Sequence, residues 1–192
     1  WDRPSLYAEI ELADGQSFHV FNLHLRAPLA AFVPGQKIGP FKWRTVSGWA
    51  EGFYVAALKR SGQALEVRYA IDEIFETQPN ALIAVCGDMN AELREMPLRI
   101  LRGDDMDTEN PDLANRIMVP MENAEPESRR YSVIHGGRPA MLDHLLVSRS
   151  LFDRFETIHI HNENLHDELL DYQRSEHMAE SHHAPVVASF HV

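Results

Sequence analysis

Apolar and polar positions alternate over residues 7–12 (YAEIEL) and 17–25 (SFHVFNLHL), on either side of Ala-Asp-Gly-Gln. That pattern predicts two strands joined as a β-hairpin. Residues 26–44 are rich in Pro, Gly and aromatics and read as a long loop. Trp49, Phe53 and Ala57 recur at helical spacing and predict a helix through about residue 60. Ala64, Val67, Ile71, Ile74 and Phe75 continue the stripe, with Glu66, Arg68, Asp72, Glu73 and Glu76 opposite. Pro79-Asn80 stops it. An almost unbroken apolar run, Ala81 to Cys86, then ends in Gly-Asp-Met-Asn. This is how a buried strand looks when it delivers polar groups to the rim of a sheet. Period-two alternation predicts that Asp88 and Asn90 point the same way. Residues 103–130 are polar and poorly patterned and read as a solvated loop. Strands are expected again at Tyr131–Ile134, Met141–Val147, Phe155–His161 and Pro185–Val192. A helix feeding a buried strand is an α/β signal.

The 192 residues suit one domain with a substantial core, and 44% hydrophobic with 24% charged residues is ordinary for a globular protein. No apolar run approaches the roughly 20 residues of a membrane span. No basic-then-apolar leader opens the sequence, and WDRPSLYAEI already reads like the approach to a strand. The chain therefore reads as the interior of something longer. The single cysteine, Cys86, excludes an intrachain disulfide framework and reads as a small core residue. A net charge of −11 disfavours a protein that grips nucleic acid mainly through phosphates, apart from a local basic patch. It favours small or lipid phosphoesters, or substrates bridged by a metal.

Four pieces carry candidate chemistry: Asp88 and Asn90 in GDMN, Asn22 and His24 in FNLHL, MLDHLLVS (141–148) and SHHAPVVASF (181–190). Each has a plainer reading alone. Gly-Asp-x-Asn is a common turn, because Asp and Asn bond their own backbone. His24 fits a structural histidine, and His182-His183 fit two solvated ones. Together they supply a carboxylate, amides and imidazoles at strand ends, which suits metal-assisted phosphoryl chemistry. His159 and His161 alternate onto one strand face, as a metal pair or as part of a paired surface strand. Asp104, Asp105, Asp107 and Glu109 form an acidic cluster without the spacing of a calcium-binding loop.

In this order, strand-NLHL, helix, strand-GDMN, RYSVIHGG–MLDHLLVS and SHHAPVVASF, the sequence resembles the endonuclease/exonuclease/phosphatase superfamily. That group includes pancreatic deoxyribonuclease, abasic-site endonucleases, inositol-polyphosphate phosphatases and neutral sphingomyelinases. RYSVIHGGRPAMLDHLLVS is especially similar to its bacterial nuclease-like branch. The resemblance implies an α+β or α/β sandwich: two mixed sheets flanked by helices, the deoxyribonuclease-like four-layer arrangement. It implies a metal-dependent phosphoesterase in which Asp88 positions or deprotonates the attacking water and approaches the metal. Asn90 would orient that water or a phosphate oxygen. His183 would contact the scissile phosphate, Asp143 would orient His183, and His24 would be a second imidazole donor. A divalent ion, Mg²⁺ or Mn²⁺, would act as Lewis acid.

Two departures follow from the same resemblance. The family's Ser-Asp-His reads Ser181-His182-His183 here. As a metal ligand beside Asp88, His182 replaces a hard oxygen with a nitrogen, which favours softer ions such as Mn²⁺ or Zn²⁺ over Mg²⁺; the alternative is a weaker metal site, or one reorganised around a different ligand. The family's first-half Asn and Glu have no counterpart, so residues 1–192 are expected to be the C-terminal portion of a single domain. A missing N-terminal segment or partner chain would complete it, with a nucleic-acid, small or lipid phosphoester as substrate. A catalytically inactive binding module that keeps the fold is the alternative.

Overall fold

A computed structural model describes residues 3–170 and 181–191. Trp1 and Val192, the chain opening and the expected end of the last strand, lie outside them. The hairpin forms as expected: β1 (Leu6–Glu11) pairs antiparallel with β2 (Ser17–His24). The loop is followed by one helix, α1 (Val46–Thr77), along which the stripe continues without a break. Thr45 caps it by accepting from the Gly48 amide at 2.9 Å, and it ends at Gln78, before Pro79. At 32 residues it is about 48 Å long. It carries the chain from β2 to the parallel strand β3 (Leu82–Asp88). Arg68 departs from its assignment to the polar face. It is buried because its guanidinium donates to the Leu101 and Arg116 carbonyls and pairs with Asp72.

The segment read as a solvated loop is structured. A helix α2 (Met96–Arg102), outside the segment read as loop, precedes it, and a short α3 (Asp105–Thr108), three 3₁₀ turns and a two-residue strand β4 (Val119–Pro120) occupy it. The sequence reading missed them because their apolar anchors, Leu98, Leu101, Met118 and Met121, are too sparse for a period. There follow a small hairpin of β5 (Val133–His135) and β6 (Arg138–Ala140), then β7 (Asp143–Val147), the short α4 (Arg149–Phe152), and the antiparallel pair β8 (Phe155–Ile160) and β9 (Val186–Phe190).

The main sheet has the order β1-β2-β3-β7-β4, with β2–β3 parallel and the other pairs antiparallel. The apolar run of β3 is continuous because both its faces are covered. Ile83 and Val85 pack with Leu23 and Leu146 against Ala64, Val67, Ile71 and Phe75 of α1 and against α2. Leu82 and Ala84 pack with Val147, Leu151 and Ile158 on the side of β8 and β9. The layers are thus helices, mixed sheet and second β layer, the α/β sandwich expected. Among the described residues no helix is long and apolar enough to cross a membrane.

Candidate active site

Strand parity places the polar groups. Phe18 of β2, Ala84 of β3 and Leu145 of β7 all contribute to the cluster facing β8 and β9. Counting in twos, Asn22 and His24, then Asp88, then Asp143 emerge on that same face where the apolar stretches end. Register makes them a row: His24 lies opposite Asp88 in the parallel ladder, and Asp88 lies opposite Asp143 in the antiparallel one.

Asp88 is held on both sides. Its carbonyl accepts from the Leu25 amide at 2.9 Å, and the next amide, Met89, donates to Leu142 at 2.8 Å. Gly87 makes this crossing feasible. Its φ is +125°, and a Cβ there would stand 2.0 Å from the Leu23 carbonyl oxygen. The strand ends at Asp88, so Asn90 does not continue the pleat as alternation predicted. Its φ of +48° is left-handed, and the chain turns back on Asp88 instead. The Asn90 amide donates to Asp88 Oδ1 at 2.9 Å. Its side-chain Nδ2 donates to Asp88 Oδ2 at 3.0 Å and to the Leu25 carbonyl at 3.0 Å. Both amide hydrogens of Asn90 are therefore engaged, and Oδ1 is its remaining polar atom. The turn reading of Gly-Asp-x-Asn therefore holds, and the turn sits at the rim where Asp88 emerges.

His183 arrives from the second β layer, just ahead of β9. Its Nδ1–H donates to Asp143 Oδ2 at 2.7 Å, which fixes the tautomer. This bond, with the charges of Asp143, Asp88 and Glu168, raises the imidazole above its usual range despite partial burial. His24 Nε2 lies 3.3 Å from Asp88 Oδ2, and more than half of its side chain is exposed.

One residue of the site had no sequence signal. Ser132 is wholly buried; its hydroxyl accepts from the Leu142 and Asp143 amides, and its carbonyl accepts from the Ala184 amide at 2.8 Å. It ties the strand bearing Asp143 to the segment bearing His183. A serine in such a role looks like any other in the sequence.

Among the described residues, donor atoms of Asp88, Asp143 and His183 converge to within 4.8 Å of one another. His182 is adjacent in the chain but is not one of the three. Two carboxylates directly opposite each other repel, and the His183 imidazole on Asp143 offsets part of that repulsion. Hard divalent ions take few protein carboxylates and keep water on their other positions. The donor set fits such an ion. His159 and His161 have ring centroids 6.2 Å apart, and His159 lies 3.9 Å from a Glu125 carboxylate oxygen. Asp104 caps α3 and pairs with Arg99 and Arg102, the behaviour of a solvated acidic segment. A cavity of about 470 Å³ opens beside His183, its lining including His161, Glu163, Asn164 and Ser181.

No protein-family model matches the chain, and no curated protein matches it. Among solved structures it is similar to an endonuclease/exonuclease/phosphatase family protein from Bacteroides thetaiotaomicron, at 16% identity and a TM-score of 0.53, over 98% of this chain and 55% of that one. It is similar to an AP endonuclease from Archaeoglobus fulgidus, at 16% identity and a TM-score of 0.53, over 97% of this chain and 65% of that one. It is also similar to a 3'-5' exonuclease (NExo) from Neisseria meningitidis, at 14% identity and a TM-score of 0.51, over 97% and 70% respectively. The chain spans little more than half of the first of these structures and 65% of the second. Its fold is that of the endonuclease/exonuclease/phosphatase structures.

Proposed function

We propose that this chain carries catalytic groups of a divalent-metal-dependent phosphoesterase, which hydrolyses a phosphoester by direct attack of water. The observation that carries the reading is the convergence of Asp88, Asp143 and His183 at a rim where two β layers meet. These residues come from β3, from β7 and from the segment before β9, so local sequence does not bring them together.

Asp88 and Asp143 would hold the ion. When bound, Mg²⁺ or Mn²⁺ would supply Lewis-acid polarisation of the phosphoryl oxygens. The other roles belong to the chain itself. Asp88 accepts a proton from the attacking water, and the two Asn90 N–H groups keep its carboxylate in one orientation. With those hydrogens engaged, Asn90 has no N–H for a phosphate oxygen. Its Oδ1 instead accepts from the water. His183, protonated and anchored through Nδ1, presents Nε2–H to a phosphate oxygen as negative charge grows there. Asp143 orients that imidazolium, and His24 is the second imidazole beside Asp88. The substrate continues from the phosphate into the cavity lined by His161 and Glu163. Its class, nucleic acid or small or lipid phosphoester, is set by such walls rather than by the fold.

The test is hydrolysis of bis(p-nitrophenyl) phosphate while Mn²⁺ or Mg²⁺ is titrated into the chelator-stripped full-length protein. Turnover that appears with the ion and disappears in Asp88→Asn supports the reading. Metal and phosphoester binding without turnover would identify the competing inactive module. Turnover undiminished by exhaustive chelation would refute metal dependence.

A further inference from the structure

The turn that holds Asn90 on Asp88 is braced from the opposite face of the sheet by two buried side chains, an imidazole and a guanidinium. β7 alternates, so Asp143 faces the site and His144 faces the helices. His144 is 2% exposed. Its Nε2 donates to the Ala91 carbonyl at 2.8 Å, and its Nδ1 is 2.5 Å from Glu122 Oε1. The Ala91 carbonyl fixes the Nε2–H, and the contact with Glu122 fixes the plane of the ring. Glu122 is 1% exposed, and its other carboxylate oxygen is buried with no hydrogen-bond partner among the described residues. On the preceding carbonyl, Asn90 itself, Arg60 of α1 donates through a terminal guanidinium nitrogen at 2.5 Å, and Arg60 is 8% exposed.

A buried imidazole–carboxyl pair is a poor device for stability alone, because desolvation consumes what the attraction returns. A carboxylate oxygen left unpartnered makes it costlier still. What this arrangement supplies is direction: consecutive carbonyls of a left-handed turn are each fixed by a rigid donor. We propose that His144, oriented by Glu122, and Arg60 are positioning residues. Together they hold the Asn90–Ala91 turn so that Asn90 keeps both N–H groups on Asp88 and Leu25. The proposal rests on the phosphoesterase reading only for its kinetic consequence; the mechanical one is independent.

The experiment compares the protein with its His144→Gln and Arg60→Lys variants by amide hydrogen exchange and by bis(p-nitrophenyl) phosphate kinetics at saturating Mn²⁺. The Asn90 amide, which donates to Asp88, should exchange at least ~10-fold faster in each variant, while the Val20 amide in β2 keeps its rate. Turnover should fall by about 10- to 100-fold with KM changed less than about twofold, since water positioning is lost and substrate binding is not. Arg60→Lys keeps charge and stem and is read alone should His144→Gln fail to fold. Exchange that rises equally at Asn90 and Val20, or an unchanged Asn90 amide, would overturn the proposal. If the full-length protein shows no turnover, the phosphoesterase reading fails, and the exchange comparison still decides the bracing role.

Discussion

Asp88 and Asp143 are direct cross-strand partners in the antiparallel β3–β7 ladder, with carboxylates on the same face. Like charges so placed destabilise a sheet, and His183 is the imidazole that answers them.

His183 should titrate above 6.5 in the metal-free protein, because Asp143 accepts its Nδ1–H and the nearby carboxylates outweigh partial burial. A histidine whose pKa rises on folding stabilises the fold fully below its unfolded value, and that contribution fades as pH climbs through the raised value. The pair therefore stabilises the protein below pH 6.5 and loses its effect at higher pH. Asp143→Asn should return the imidazole toward its ordinary value. NMR titration of the ring protons reads both; an unmoved His183 in the variant would mean that Asp143 is not the cause.

His183→Ala should lower turnover by roughly 10²–10³, the worth of one positioned donor to developing charge. The Mn²⁺ concentration for half activation should stay put, since two carboxylates remain. Asp143→Asn should also lower turnover, and in addition should demand more metal. Identical metal curves for the two variants would show that Asp143 acts only through His183.

His182→Asp should raise activity with Mg²⁺ relative to Mn²⁺, because a carboxylate suits the harder ion. His182 is not among the converging donors, so the substitution asks whether it reaches the ion when one is bound. A constant Mg²⁺-to-Mn²⁺ activity ratio would place it outside the metal's reach.

Gly87→Ala should be destabilised by about 3 kcal/mol in urea unfolding, since the added Cβ meets backbone at a strained φ. Gly15→Ala is the control: its φ is +81° but nothing lies within 4 Å of a Cβ, so a cost nearer 1 kcal/mol is expected. Equal costs would show that the Leu23 approach is relieved by relaxation.

The local part of this protein is legible in its sequence. Apolar period alone located the hairpin, the long helix, β3 and β7 through β9 in position and type, because each buries a regular face. It also gave the polar rim, since a buried strand that ends in Gly-Asp-Met-Asn must surface there. It missed α2 and the turns after it, where two or three anchors suffice to hold an irregular chain.

What the sequence left open is which residues meet. Asp88 and Asp143 become neighbours through ladder register, and His183 joins them because Ser132 ties two segments together, a contact between residues 52 positions apart (Ser132 to Ala184). Arg68 and His144 read as surface groups or simple strand members. Their burial follows from carbonyls that only the assembled chain presents. Asn90 was assigned to the site through the pleat and reached it through a left-handed turn instead. Period fixes the face on which a side chain emerges, because it is a property of consecutive residues. Register, turn direction and partners are properties of segments far apart in the chain, and only their packing decides them.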